Sequence, residues 1–349
     1  MPRLATRHAK VGKRIEAGVP RRQSQLESQA VRTIVIPGTD IETSPIGLGC
    51  ASLGSRVSAA QGRRMLEAAL EGGVTWYDVA PSYGAGRAED ILAPFVAAHR
   101  DSLFLCSKVG LAPPRHNGLM RLAYDLGRPL VSVARGLSRR FRSIKATRNR
   151  RVALSGDFIE ASLASSLRRL GTDRLDVFAL HDPDPADLDR DDVLRALERV
   201  LARGDARHIS MAGSLDAALT AAALPLFTFF QLADDPDGRQ LPALRQALDR
   251  PAGFVTHSVF GVGGARDRMI RKLKSAPTLA AEAAAAGYGG SPETVATALL
   301  MRRAFVVNPD GVVLSSMFSG NHLADNLRLA AEPPDAAAAR LAERILSAP

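Results

Sequence analysis

The sequence contains only two cysteines, Cys50 and Cys106, in 349 residues. So few thiols argue against a disulfide framework and a cysteine-rich zinc site, and we expect no metal centre. No apolar run approaches the roughly 18 residues that a membrane-spanning helix needs. The N-terminal segment is basic and has no apolar stretch of the signal-peptide type. With a hydrophobic content of 46%, which can form a large core, these absences predict a soluble, cytoplasmic protein.

Acidic residues are scarce in two segments. Residues 1–32 contain eight Lys or Arg against two Glu, and residues 111–151 contain eleven against one Asp. The two segments carry net charges of +6 and +10, so the rest of a chain whose total is +10 carries about −6. The basicity therefore belongs to local segments. We predict that residues 1–31 form a flexible tail and that residues 32–349 form one domain.

A further absence is the Gly-x-Gly-x-x-Gly fingerprint of doubly wound dinucleotide-binding domains. The nearest match begins at Gly47 and has Ser52 where the third glycine belongs. Instead, eight strand-like runs are each followed by a helical pattern, which predicts a (β/α)8 TIM barrel. An N-terminal hairpin is expected before it, with its first arm at 33–36 and its turn at 37–40. The barrel strands are predicted at 46–50, 74–78, 103–108, 175–180, 207–212, 226–231, 253–258 and 312–315. The helices are predicted at 58–72, 87–99, 157–170, 186–203, 215–223, 239–248, within 266–306, at 321–331 and at 335–347.

The connection after the third barrel strand is far longer than usual. We predict that residues 111–155 form a basic amphipathic insertion at the barrel mouth, in which Pro129 breaks or kinks any helix. The positive charge favours a lid over an anionic substrate, or peripheral contact of residues 111–151 with anionic lipid. Nucleic acid binding is a weaker interpretation, because only Tyr124 and Phe141 lie among the arginines. A solvated surface segment without function is the fourth alternative.

Four side chains that can exchange protons lie at or just after strand ends: Asp78, Tyr83, Lys108 and His181. Because the carboxyl ends of parallel barrel strands meet at one mouth, we expect these groups in one pocket. A lysine beside a phenol lowers its pKa, an aspartate holds the lysine, and a histidine orients a substrate oxygen. Singly, each residue has a simpler explanation as a helix cap, a packing aromatic, a solvated strand end or a core histidine. Together they suit protonation of a carbonyl oxygen while a hydride reaches its carbon.

The sequence resembles the aldo-keto reductase family over roughly residues 32–331. The resemblance is carried by Asp-x-Ala-x-x-Tyr-Gly at 78–84, by Lys108, by Leu-His-Asp-Pro-Asp at 180–184, and by the helix-to-strand passage 165–176. It implies a (β/α)8 barrel that uses NADP(H) or NAD(H) to interconvert small-molecule carbonyls and alcohols. By that resemblance Tyr83 is the general acid or base, Lys108 and Asp78 adjust it, and His181 positions the carbonyl.

The resemblance also implies residues that bind the cofactor. Gln231 matches a ligand of the nicotinamide carboxamide, but Ala212 and Gly213 replace the Ser and Asn that usually share this role. His257 takes the place of a tyrosine that stacks on the nicotinamide. The remaining candidates, for the pyrophosphate and adenosine, are Ser258, Gly261, Gly263, Ser316, His322 and Asn326. The cations that grip the 2′-phosphate are replaced by Ser316 and His322, so NADP(H) is favoured only from the family and NAD(H) stays open.

The replacement of the family's Ser and Asn by Ala212 and Gly213, together with the basic insertion, also permits an interpretation from another class of function. The protein would then be a reductase-like regulatory or scaffold protein with weak turnover, associated with membrane surfaces through residues 111–151. Turnover on a broad carbonyl panel distinguishes the two interpretations.

Overall fold

The computed structural model describes residues 31–113, 150–234, 239–261 and 264–348. Its central element is a closed barrel of eight parallel strands. These strands are β3 (Ile46–Gly49), β4 (Trp76–Asp78), β5 (Phe104–Val109), β8 (Leu175–His181), β9 (Ala206–Ala212), β10 (Phe227–Ala233), β11 (Gly253–His257) and β12 (Val312–Ser315). They follow one another around the ring in chain order, and β12 pairs with β3 to close it. The predicted (β/α)8 barrel is thus confirmed.

Helices alternate with the strands and cover the outer face of the barrel. The α-helices of the described residues are α1 (Ala59–Glu71), α2 (Ala88–His99), α3 (Gly156–Leu170), α4 (Asp191–Arg203), α5 (Leu215–Ala222), α6 (Gln240–Ala247), α7 (Ala265–Ser275), α8 (Pro277–Ala285), α9 (Pro292–Val307), α10 (Gly320–Ala331) and α11 (Ala336–Ser347). Ser side chains cap α1, α3, α5, α9 and α10 by accepting backbone N–H groups of the first turn. Across the described ranges, no helix has the length and apolar character needed to cross a lipid bilayer.

One predicted helix is interrupted, and the several helical segments predicted within 266–306 are found as three helices. The segment 186–203 begins with a short 3-10 turn at Pro185–Asp189, because Asp184 and Asp187 cap that turn reciprocally, and the chain is extended at Arg190. The segment 266–306 divides into α7, α8 and α9, and a proline begins each of the last two. Proline has no backbone N–H and a fixed φ, so it suits a first turn and interrupts a helix interior.

A hairpin closes the amino-terminal end of the barrel. Its strands β1 (Ile34–Val35) and β2 (Glu42–Thr43) pair antiparallel around the predicted turn. Ile34, Ile36 and Ile41 belong to the same buried cluster as the inward-facing side chains of the barrel. Among the described residues, this hairpin leaves the carboxyl ends of the strands uncovered.

The long insertion leaves and returns at the carboxyl-terminal end of β5. Strands β6 (Leu111–Ala112) and β7 (Arg150–Arg151) pair antiparallel at its base. Residues 114–149 and the tail residues 1–30 lie outside the described residues. The expectations of a flexible tail and of a lid or lipid contact for the insertion stay predictions.

Candidate active site

The strand register determines which side chains face the barrel mouth. Side chains alternate across a strand with a period of two. Trp76, Cys106, Val177, Phe229 and Val255 belong to the buried cluster inside the barrel. A residue two or four positions further along the same strand faces inward as well and lies nearer the mouth. These residues are Asp78 on β4, Lys108 on β5, His181 on β8, Gln231 on β10 and His257 on β11. Five site residues expected from the sequence thus face the inside of the barrel near the carboxyl ends of its strands.

Lys108 and Asp78 form a buried ion pair. Lys108 Nζ contacts Asp78 Oδ1, and their side chains are 1% and 3% exposed. Nζ also donates a hydrogen bond to the carbonyl oxygen of Val79 at 3.3 Å. Burial alone disfavours the ammonium, but the negative charge of Asp78 outweighs it, together with Tyr83 and Cys106, so the net pKa of Lys108 is raised. Lys108 is therefore a permanent cation inside the mouth.

Tyr83 lies between this cation and His181. Lys108 Nζ is 5.2 Å from the centroid of the Tyr83 ring. The rings of Tyr83 and His181 meet edge-on, with centroids 5.8 Å apart at 88°. Burial raises the pKa of Tyr83 to about 12, although Lys108 lowers it. The sequence correctly indicates the direction of the lysine's influence, but the desolvation of the phenol is larger.

His181 is a neutral imidazole at physiological pH. Burial, and then the charge of Lys108 and the neighbouring His257, lower the pKa of His181 to about 3. The same burial lowers the pKa of His257. Two uncharged rings that can donate hydrogen bonds therefore lie at the mouth, and that of His181 contacts the phenol ring. Proton donation as an acid falls to Tyr83 by this arrangement.

The expected nicotinamide residues differ in how they are held. Gln231 is buried at the end of β10 and pairs with Ala212 of β9. His257 Nδ1 lies 2.8 Å from the hydroxyl of Ser258, whose φ of +61° is left-handed. Among the described residues, Asp78 Oδ2 is buried without a hydrogen-bond partner. A buried carboxylate oxygen without a hydrogen-bond partner, an amide and a ring at one mouth fit a polar heterocyclic cofactor with hydroxyl groups.

The candidates for the other end of the cofactor lie after β11 and β12. Ser316 is exposed, and its hydroxyl is 3.2 Å from that of Ser52. His322 is exposed in the first turn of α10, whereas Asn326 is buried and donates to the Ser315 hydroxyl at 3.1 Å. Gly261 is exposed on the loop after β11 and has open space around it. Gly263 lies outside the described residues.

The comparison with known protein families decides the relationship. The family model described as the aldo/keto reductase family matches residues 45–226, which is more than half of the chain. The chain belongs to the aldo/keto reductase family. The match includes Asp78, Tyr83, Lys108 and His181.

Two curated relatives of this aldo/keto reductase family member are named as enzymes that act on sugars. The chain is 31% identical to D-threo-aldose 1-dehydrogenase from a Pseudomonas species, over 62% of this chain and 66% of the relative. It is 27% identical to 6-dehydroglucose reductase from Agrobacterium fabrum, over 49% of this chain and 50% of the relative. The matched segments thus span less than two thirds of these relatives.

Solved aldo/keto reductases share the fold. An aldo-keto reductase from Bacillus halodurans superposes with a TM-score of 0.65 at 17% identity, covering 91% of this chain and 97% of that one. An aldo/keto reductase from Klebsiella pneumoniae, in complex with NADP and acetate, gives a TM-score of 0.63 at 22% identity with the same coverage.

Two contacts beside His181, at the mouth of the barrel, were not expected from the sequence. Arg151, at the base of the insertion, pairs with Asp182 at 3.0 Å, directly after His181. A Cβ on Gly110 would lie 2.6 Å from the carbonyl oxygen of His181, and the φ of Gly110, +129°, favours glycine. Glycine at the end of β5 is the one available signal for this close approach. The base of the insertion is thus packed against the histidine segment.

Proposed function

We propose that the protein is an NAD(P)-dependent oxidoreductase that interconverts a small carbonyl compound and its alcohol by hydride transfer. The observation that supports this most is the meeting of Tyr83 with the buried Lys108–Asp78 pair and with His181 at one mouth. A scaffold has no need of a buried cation beside a phenol, and burying such a pair generally carries a net cost in stability. The proposed site therefore favours catalysis.

In reduction, the Tyr83 hydroxyl donates its proton to the carbonyl oxygen as a hydride reaches the carbon. A pKa of about 12 keeps this phenol protonated at neutral pH, so the donor is always loaded. Lys108 stabilises the phenolate that remains. If the 5.2 Å from Lys108 Nζ to the centroid of the Tyr83 ring is taken as the separation of the two charges, their attraction is about 3 kcal/mol at an effective dielectric constant of about 20. The phenolate then regains a proton from solvent, and alcohol oxidation reverses these steps.

The other residues bind and orient. Neutral His181 donates a hydrogen bond to the carbonyl oxygen and so holds it beside the Tyr83 hydroxyl. A bound nicotinamide supplies or accepts the hydride. The groups that we propose to hold the nicotinamide are Gln231, His257 and Oδ2 of Asp78. Ser316, His322 and Asn326 are proposed for its adenosine end.

The substrate and cofactor are proposed from the relatives. Their names support a sugar-like aldehyde, ketone or alcohol as the substrate class. NADP(H) is the favoured cofactor, because the Klebsiella pneumoniae structure contains NADP. NAD(H) stays the alternative, because Ser316 and His322 offer no permanent cation to a 2′-phosphate. Phosphorylated sugars belong in the substrate panel because of the cations in residues 111–151.

Fluorescence titration of the purified protein with NADPH and NADH tests the cofactor proposal. We expect saturable binding of at least one of them, with NADPH tighter. The protein is then assayed with that nucleotide against aldehydes, ketones, aldoses and phosphorylated sugars. Binding of neither nucleotide contradicts the cofactor assignment, and tight binding without turnover on the whole panel contradicts the proposed activity.

A further inference from the structure

Outside the barrel mouth, one buried carboxylate joins three elements. Glu89, in the first turn of α2, is 1% exposed and has both oxygens occupied. The hydroxyl of Ser107 donates to Oε1 at 2.7 Å. Arg169 of α3 donates to Oε2 through Nε at 2.7 Å and is paired with it through Nη2 at 2.6 Å. We call these three residues, Glu89, Ser107 and Arg169, the Glu89 brace.

Two members of the brace lie close in sequence to proposed catalytic residues. Ser107 precedes Lys108 on β5 and faces outward because Lys108 faces inward. Glu89 lies in the first turn of α2, the helix that follows the turn carrying Tyr83. The brace therefore connects the segment of the phenol with the strand of the amine from outside the barrel.

The turn that carries Tyr83 needs such an external support. Gly84, Ala85 and Gly86 all have positive φ values, of 61°, 57° and 87°. For Ala85 this conformation costs about 1–2 kcal/mol and persists only where surrounding contacts hold it. Helix α2 begins at Ala88 without a side-chain cap, so no cap fixes its start either. The turn has its own backbone hydrogen bonds and packs against Leu53 through Gly84, and the bonds of Glu89 to the neighbouring strand and helix add to that constraint.

We propose that Glu89 is a positioning residue, whose bonds to Ser107 and Arg169 set the placement of Tyr83 relative to Lys108. This inference rests on the proposed function of those two residues. It predicts that loosening the brace slows proton transfer while leaving carbonyl binding nearly unchanged. A displacement of about 1 Å caused by a remote substitution can lower a rate by about 10²-fold.

Three variants test the brace, and one matched variant controls for stability. Glu89→Ala and Ser107→Ala break it, whereas Glu89→Gln keeps its size and its hydrogen-bonding oxygen. The control is Asp176→Asn, because Asp176 is also buried, pairs with Arg100 at 3.0 Å, and accepts the Leu105 N–H of the same strand at 2.8 Å. It braces β5 at the opposite end of the barrel.

Steady-state kinetics on an active substrate give the first readout. We expect about 10²-fold lower kcat for Glu89→Ala, a smaller loss for Ser107→Ala, a KM for the carbonyl within about threefold, and substantial recovery in Glu89→Gln. Asp176→Asn should lose stability and keep its kcat. Equal losses of kcat in Asp176→Asn and Ser107→Ala, or an unchanged kcat in both brace variants, overturn the proposal.

A second readout does not depend on turnover. The chain has four tyrosines, so incorporation of 3-fluorotyrosine gives four ¹⁹F resonances, and Tyr83→Phe identifies that of Tyr83. The brace variants should shift or broaden this resonance and leave that of Tyr288 unchanged, whereas Asp176→Asn should move neither. A Tyr83 resonance unaffected by Ser107→Ala and Glu89→Ala contradicts the brace even if no substrate is found. Normal turnover of the parent protein with unaffected brace variants contradicts the brace and leaves the proposed function intact.

Discussion

Replacing Lys108 by Met, alone and together with Asp78→Asn, separates the stability of the buried ion pair from its contribution to the rate. The two side chains are 1% and 3% exposed and contact each other directly. Lys108→Met alone leaves the Asp78 carboxylate buried without its cation, which should lower the free energy of unfolding by about 3–5 kcal/mol. The double variant removes both charges, and its stability should return to within about 1–2 kcal/mol of the parent protein.

The rate should not recover with the stability. Loss of the Lys108 charge, 5.2 Å from the Tyr83 ring, removes about 3 kcal/mol of phenolate stabilisation, which corresponds to a roughly 10²-fold lower rate of hydride transfer. The double variant should therefore fold well and still react more slowly than the parent protein, although loss of the Asp78 charge, which opposes the phenolate, offsets part of the effect.

Urea unfolding and single-turnover oxidation of the reduced cofactor measure the two quantities on the same preparations. A double variant with the rate of the parent protein refutes the electrostatic role of Lys108. A single variant as stable as the double variant refutes the argument that an unpaired Asp78 is costly.

Three further predictions follow from the same contacts. Because burial raises the pKa of Tyr83 to about 12, the rate of carbonyl reduction should be nearly independent of pH from 6 to 9. The rate of alcohol oxidation, which needs the phenolate, should rise up to about tenfold per pH unit. Equal pH profiles in the two directions would argue against Tyr83 as the group that serves both. Burial, Lys108 and His257 lower the pKa of His181 to about 3, so between pH 6.5 and 3 the unfolded state binds more protons than the folded state and the protein loses stability as the pH falls. The difference in unfolding free energy between pH 7 and 5 should therefore be about 2 kcal/mol smaller in His181→Gln than in the parent protein. An unchanged difference would contradict this. Gly110→Ala should lower both stability and kcat, because its Cβ would lie 2.6 Å from the His181 carbonyl oxygen. Gly204 also has a positive φ but has open space around it, so Gly204→Ala should lower stability alone. Similar kcat values for the two variants would show that the close approach of Gly110 does not fix the position of His181.

The barrel and the meeting of the four polar groups were predictable because both depend on local patterns. Alternating strand and helix signals imply parallel strands, and parallel strands bring their carboxyl ends to one mouth. The period of two along each strand then turns Asp78, Lys108 and His181 inward. The helix 186–203 was predicted less well, since the reciprocal capping by Asp184 and Asp187 makes a separate 3-10 turn before the α-helix begins at Asp191.

What depends on burial could not be predicted. The pKa of Tyr83 depends on how completely the phenol is removed from water, and no sequence pattern reports that balance. The brace residue Glu89 looks like an ordinary acidic residue in the first turn of a helix, where negative charge is common. Its partner Ser107 is separated from it by 18 positions, and only the three-dimensional packing of α2 on β5 brings them together.

Hydride transfer by the Tyr83→Phe variant tests the central claim most directly. Phe keeps the ring beside Lys108 and His181 and removes only the hydroxyl that donates the proton. Proton donation by a positioned side chain is worth about 10²–10⁴-fold, so single-turnover oxidation of the bound reduced cofactor by a carbonyl substrate should slow by that factor. The dissociation constant of the cofactor should stay within about twofold of the parent value, since the hydroxyl is not among the groups proposed to hold it. A variant that binds the cofactor normally and transfers hydride at the parent rate would contradict the account.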